Sequence, residues 1–164
     1  MKKVTLAEKF DCFNEMWTPK IVGELNDFHV KLVKVDGEFV WHHHDVEDEL
    51  FMVIEGEIAM HYRDGEVERV ERFGPGDFLN VPHGVEHKPV ATSPTKMLLL
   101  EPKSTLNTGT AGGERTAQPE WISVGLAPAS ATFSRRRTAG AVRWPTTITR
   151  RHMLRSCLAA RTSR

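Results

Sequence analysis

A chain of 164 residues, 40% hydrophobic and 27% charged, is long enough for one ordinary hydrophobic core, which excludes disorder throughout and leaves little room for a second domain. No stretch approaches the ~20 apolar residues of a membrane helix, and the N-terminal MKKVTLAEKFDCFNEMW is interrupted by Glu8, Asp11 and Glu15, so it reads as no secretory signal and a cytoplasmic protein. The formal charge of zero hides a division: through Trp121 nine Lys and four Arg face all 22 acids, a balance of −9, whereas from Ile122 onward nine Arg stand with no Lys and no acid, a balance of +9.

At the N-terminus, Thr5-Leu6-Ala7-Glu8 has the spacing of a capping box, with Thr5 as N-cap and Glu8 reaching back, and predicts a short helix through about Phe13. Cys12, just inside it, and Cys157 are the two cysteines; far apart in the chain, they read as free thiols, not as a disulfide framework. From about Lys20 to Glu101 short strands alternate with turn residues, the pattern of an all-β sandwich or barrel. His29, Lys31, Val33 and Val35 alternate with Val30, Leu32, Lys34 and Asp36. Phe39–His44 and Leu50–Ile54 read as the next strands. Ile58–Tyr62, Asp64-Gly65 and Val67–Phe73 make a hairpin, since Asp-Gly supplies the positive φ of a tight turn. After the Gly74-Pro75-Gly76-Asp77 turn come Phe78–Val81, Glu86–Ala91 and Lys96–Leu100.

The segment from Pro102 to Trp121 is rich in Thr, Gly and Pro and reads as a surface arm anchored by Leu106 and Trp121. Beyond it, residues 122–164 form an irregular basic tail with clusters at Arg135-Arg136-Arg137 and Arg150-Arg151, and Met153–Ala160 could form a turn or two of helix. A basic arm for nucleic acid is one reading of such a block. The abrupt loss of Lys and of every acid favours the other, a poorly ordered or non-native extension, and makes nucleic acid an unlikely partner. The expected domain is therefore 1–121.

Chemistry concentrates around His42-His43-His44. Side chains two apart in a strand share a face, so His42 and His44 point together while Trp41 and His43 point the other way. Glu49 opens the next strand after the acidic loop 45–48, and a short return brings it beside the histidine pair; His87 follows the Pro82–Gly84 turn on a later strand. Three neutral imidazoles and a carboxylate suit one divalent transition ion, Fe, Mn, Ni, Co, Cu or Zn, with positions left open for water or substrate. Solvated histidines on a surface hairpin are the competing reading. His43 reads as a packing or edge residue and His83 as a candidate for the pocket mouth. Glu86 points away from its neighbour His87 and is a poor general base, and Glu47 and Asp48 read as solvated loop. Phe51, Phe78, Met60 and Leu98 are candidates for an apolar lining. Lys31, Arg63 and Lys96 are the few cations that could grip a sugar phosphate.

These motifs resemble the cupin superfamily, and within it the small single-domain proteins. GEFVWHHHDVEDELFMVIEG, Gly37 to Gly56, is similar to the first cupin motif, a glycine, a His-x-His pair, a Glu and a closing glycine; GDFLNVPHGVEHKPVA, Gly76 to Ala91, is similar to the second. Gly37 stands one residue closer to the His pair than in the general pattern, and Ala91 replaces the usual Asn. The resemblance covers about Val30 to Glu101 and implies a jelly-roll β-barrel that holds a metal on His42, His44, Glu49 and His87 and commonly pairs into homodimers. It does not imply one reaction, because fold and function are separable. The expectation is a small-molecule protein, a dioxygenase of a chelating, oxygen-rich substrate. A metal-assisted sugar or keto-acid isomerase and a non-catalytic ligand-binding or structural dimer are the alternatives.

Overall fold

The computed structural model describes residues 3–122. The expectations placed on the basic tail beyond Ile122, including the Met153–Ala160 helical turns and Cys157, lie outside the described residues. The helix α1 (Leu6–Phe10) is followed by strands β1 (Lys20–Leu25), β2 (Phe28–Glu38), β3 (Glu49–Glu55), β4 (Ile58–Asp64), β5 (Val67–Phe73), β6 (Phe78–Val81), β7 (His87–Pro102) and β8 (Glu120–Trp121). Among the described residues, no helix is long and apolar enough to cross a membrane.

The all-β reading holds, with the short N-terminal helix in place. The strands run in the order β5-β4-β7-β2-β1-β8, while β3 pairs with β7 and β6, so the hydrogen-bonded sheet folds over on itself without closing into a ring. The long strand β7 is the axis. Along one edge it pairs first with β4, from Tyr62↔His87 to Ile58↔Ala91, and then with β3, from Glu55↔Lys96 to Leu50↔Leu100. Along the other edge it pairs with β2 from Glu38↔Val90 to Phe28↔Pro102. The sequence reading divided this strand at Thr92–Thr95; the structure joins the halves, because β2 runs beside both with only a register shift between Val35 and Gly37.

Alternation then sorts the side chains. Val33, Val35, Phe51, Val53, Met97 and Leu99 point inward and, with Ile58, Met60, Phe73 and Val81, form the main core. Leu32 and Leu98 point outward, where Phe10 and Phe13 cover them in a second cluster. This packing is what holds α1, since five residues of helix are too few to be stable alone. The capping box is not formed: Thr5 is extended but makes no side-chain cap bond, and the helix stops at Phe10, short of the expected Phe13.

Two further expectations are corrected. In the β4–β5 hairpin Asp64 pairs with Val67, so the loop residues are Gly65 and Glu66, and Gly65 carries the positive φ of 64°. Phe39–His44 is not a strand. The chain leaves the ladder after Glu38, and its contacts with β7, on the same edge that β2 occupies, are reduced to the Phe39 N–H bond to Pro89 and the His42↔His87 bridge.

Candidate metal centre

Four donors converge in the interior. His42 and His44 sit on the segment between β2 and β3, Glu49 opens β3 and His87 opens β7. One donor atom from each lies within 4.8 Å of all the others, and the four residues are 1–4% exposed. The His42–His87 bridge exchanges both backbone hydrogen bonds, His42 N–H to His87 O at 3.0 Å and His87 N–H to His42 O at 2.8 Å. It brings the two rings to a centroid distance of 4.2 Å. His42 and His44 share a face as the alternation predicts, although no ladder holds their segment, and their rings meet edge-on at 5.3 Å.

The outward nitrogens are tied down. Nδ1 of His42 lies 3.0 Å from the Val40 carbonyl and Nδ1 of His87 lies 2.9 Å from that of Val85. A carbonyl only accepts, so each Nδ1 carries the proton and each Nε2 presents a lone pair to the interior. Nε2 of His44 and of His87 stand 3.1 and 3.3 Å from Oε2 of Glu49. All three of these buried atoms nevertheless lack a hydrogen bond of proper geometry. Buried polar atoms are rarely left so. Lone pairs of imidazole and carboxylate aimed at one another repel unless a cation lies between them, so the residues present fit a divalent ion.

Electrostatics agrees with that use. Burial pushes the His42 imidazole down to about 4, and the neighbouring His87 ring adds to this, so His42 is neutral at ordinary pH. Burial pushes Glu49 up, but the His44 and His87 rings and Glu101 outweigh it and hold the carboxyl well below the usual range, ionised. Glu101, fully buried, is pushed well above its usual range by burial and by the Glu49 carboxylate, against the pull of Lys31.

Beside His42 and Glu49 lies a cavity of about 40 Å³, lined chiefly by apolar side chains such as Phe51, Met97 and Leu99, with Glu101 and Asn107 adding polar edges. Trp17 and Phe39, stacked at 4.9 Å, line it too, and the Arg115 guanidinium lies 5.9 and 5.8 Å from their ring centroids and donates to the Glu38 carbonyl. The arm after β7 is tied to this region: Asn107 donates to the carbonyls of Trp17 and Arg115, and Thr110 N–H to that of His43.

Several sequence-derived candidates sit elsewhere. His43 points away from the cluster, near Asp45 at 3.2 Å. His83 is exposed and bound to Asp48 at 2.8 Å, so Asp48 anchors a turn and His83 does not line the cavity. Glu86 faces Arg63 at 2.7 Å. Of the four apolar candidates only Phe51 borders the cavity. Phe78 is 63% exposed and Leu98 lies under Phe10, because both carry the outward parity of Met52, their partner on β3. Met60 is core, at the floor of a separate cleft of about 370 Å³ that contains none of the four donors. Arg63 and Lys96 pair on the outside with Glu86 and Glu55, and Lys31 is spent inside on Glu101. Sequence reasoning missed Glu101, Trp17, Asn107 and Arg115. Only Glu101 left a signal, as an acid in phase with the buried Met97 and Leu99.

The cupin domain family matches residues 29–101. A cupin-2 domain protein of Shewanella frigidimarina, known as a crystal structure, is 41% identical and superposes with a TM-score of 0.57 over 60% of this chain and 93% of that one. The chain belongs to the cupin superfamily. Other relatives of this cupin are the uncharacterized protein YdbB of Bacillus subtilis, 37% identical over 82 residues that span 50% of this chain and 70% of that protein, and protein NMB1881 of Neisseria meningitidis, 27% identical with a TM-score of 0.55 over 62% and 99% of the two chains.

Proposed function

We propose that this cupin holds one divalent transition ion on His42, His44, Glu49 and His87 and uses it to bind a small, chelating, oxygen-rich molecule that it cleaves with dioxygen. One observation carries the reading: the lone pairs of buried imidazoles and the Glu49 carboxylate converge without hydrogen-bond partners, while Nδ1 of His42 and His87 is fixed on backbone carbonyls. A bound ion supplies Lewis acidity and coordination positions left open by four protein ligands. The chain supplies the rest. His42 and Glu49 border the cavity, so a ligand enters on their side, and Phe51, Met97 and Leu99 exclude bulk water from it.

The cavity beside His42 and Glu49 is small, about 40 Å³, and bounded chiefly by apolar side chains, which suits a compact enediol, enolate or diketone. The isomerase reading is weaker for a phosphosugar, since Lys31, Arg63 and Lys96 are each paired with an acid and none lines the cavity. The same proposal places the protein in the cytoplasm as a homodimer, the assembly common in the family.

The test is metal analysis of protein purified without chelators, then oxygen consumption by iron-loaded protein with small enediols and diketones. Oxygen uptake with one of these, abolished in His87→Ala, is expected. Iron-loaded protein that is inert to the whole panel refutes the dioxygenase assignment and leaves a non-catalytic metal-braced fold.

A further inference from the structure

The inner face of the sheet carries a row of three ionisable residues, of which four-ligand binding uses only one. Lys31 on β2, Glu101 on β7 and Glu49 on β3 follow one another across three adjacent strands. Leu50 pairs with Leu100 and Phe51 with Leu99, and continuing that register sets Glu49 directly opposite Glu101. On the other side Lys31 pairs with Leu99, which puts it one diagonal step from Glu101. Lys31 Nζ lies 2.5 Å from Glu101 Oε1 and 3.3 Å from the Thr105 carbonyl, and the Lys31 and Glu101 side chains are each 1% exposed. The neighbouring inward positions are Val33, Phe51, Met97 and Leu99, all apolar.

Burying a lysine and a carboxyl costs desolvation that an apolar pair of the same volume would not incur, so for stability alone the row is a poor choice. It must be read with what stands at its end. Glu49 is both buried and required in one orientation, with Oε2 turned to His44 and His87. A carboxylate on a strand end has free torsions, and it keeps an orientation only if a further group holds it.

Resting on the metal reading above, we propose that Glu101, anchored by Lys31, is a positioning residue that holds the Glu49 carboxylate in the orientation required of a metal ligand. Lys31 fixes the Glu101 carboxyl from β2, and Glu101 meets Glu49 from β7. The pair thus ties the one acidic ligand to the rigid centre of the sheet, as the Val40 and Val85 carbonyls tie His42 and His87. Outer partners of metal ligands typically change affinity by roughly 10- to 100-fold when removed.

Cobalt(II) titration of the full chain tests this, read by affinity and by the visible absorption of the bound ion. The variant K31M/E101L removes the pair as a unit and leaves no buried charge unpaired. Its melting temperature without metal is expected to match or exceed that of the parent, while cobalt binds roughly 10- to 100-fold more weakly with an altered spectrum. Glu101→Gln, which keeps shape and hydrogen-bonding capacity, is expected to retain most of the affinity and the parental spectrum. Parental affinity and spectrum in K31M/E101L would show that the pair is structural and overturn the inference. So would a Glu101→Gln variant, folded by circular dichroism, that binds as poorly as the double variant; this single variant also decides the matter if K31M/E101L fails to fold. A parent that binds no cobalt, or binds it equally well in His87→Ala, sinks the metal centre itself, a result distinguishable from the failure of Glu101 alone.

Discussion

Acidifying the metal-free protein isolates the cost of burying His42 in neutral form. In the folded state its imidazole takes a proton only near pH 4, against 6.5 for an unperturbed ring. Between those values the unfolded chain binds a proton that the folded chain refuses, so stability rises with pH across this window and is lost as pH falls through it. The gap, at about 1.36 kcal/mol per pH unit, comes to roughly 3 kcal/mol, a large share of an ordinary domain's 5–15 kcal/mol. Two neighbours complicate the raw curve. Glu49, held low, adds stability that disappears only below the ordinary carboxylate range, and Glu101, held high, adds stability that is present at low pH and lost as pH rises. The difference between parent and His42→Gln removes most of both effects. Urea unfolding in EDTA, followed by tryptophan fluorescence from pH 4 to pH 7, measures it. The parent should lose roughly 3 kcal/mol more than the variant between pH 6.5 and pH 4; parallel curves would mean that His42 is not the desolvated neutral base described here.

Adding metal should stabilise the parent by about 2.7 kcal/mol when the free ion is at 100 times its Kd, seen as a rise in melting temperature that EDTA reverses and Glu49→Gln abolishes. Gly109→Ala should weaken metal binding, because Gly109 has a φ of 46° and a Cβ there would run into the His43 carbonyl and press on the His44 ring at 3.1 Å; Gly112→Ala, at a φ of 58° with open space around it, is the control that bears only the backbone strain of about 1–3 kcal/mol. Thermal melts and cobalt titration of the two separate those effects. Phe10→Ala should cost about 3–5 kcal/mol in urea unfolding yet leave metal affinity unchanged, since Phe10 packs on the outward face with Phe13 and Leu32, across the sheet from the four donors.

Much of the site was legible because its pattern is local. The His-x-His spacing needs only an extended chain to put His42 and His44 on one side, and the two glycine-bounded motifs lie in the right order whatever the sheet does between them. The hairpin at Gly65 and the apolar rhythm of β2 and β3 were readable for the same reason. What failed depended on partners. Thr5 has the right neighbours for a capping box but its side chain makes no cap bond, and Phe39–His44 has strand composition but touches β7 only through the Phe39 N–H and the His42↔His87 bridge.

The one-dimensional pattern thus determined which residues of a strand share a side, and with it the fold class and the four candidate donors. Which side is inside, and what stands across from each residue, was decided by strand pairing. That is why Phe78 and Leu98 lie outside despite their apolar character, and why Glu101, 52 positions from Glu49 in the chain, becomes its neighbour. Alternation constrains a strand against itself, whereas register between distant strands is settled only when the whole sheet buries its apolar face.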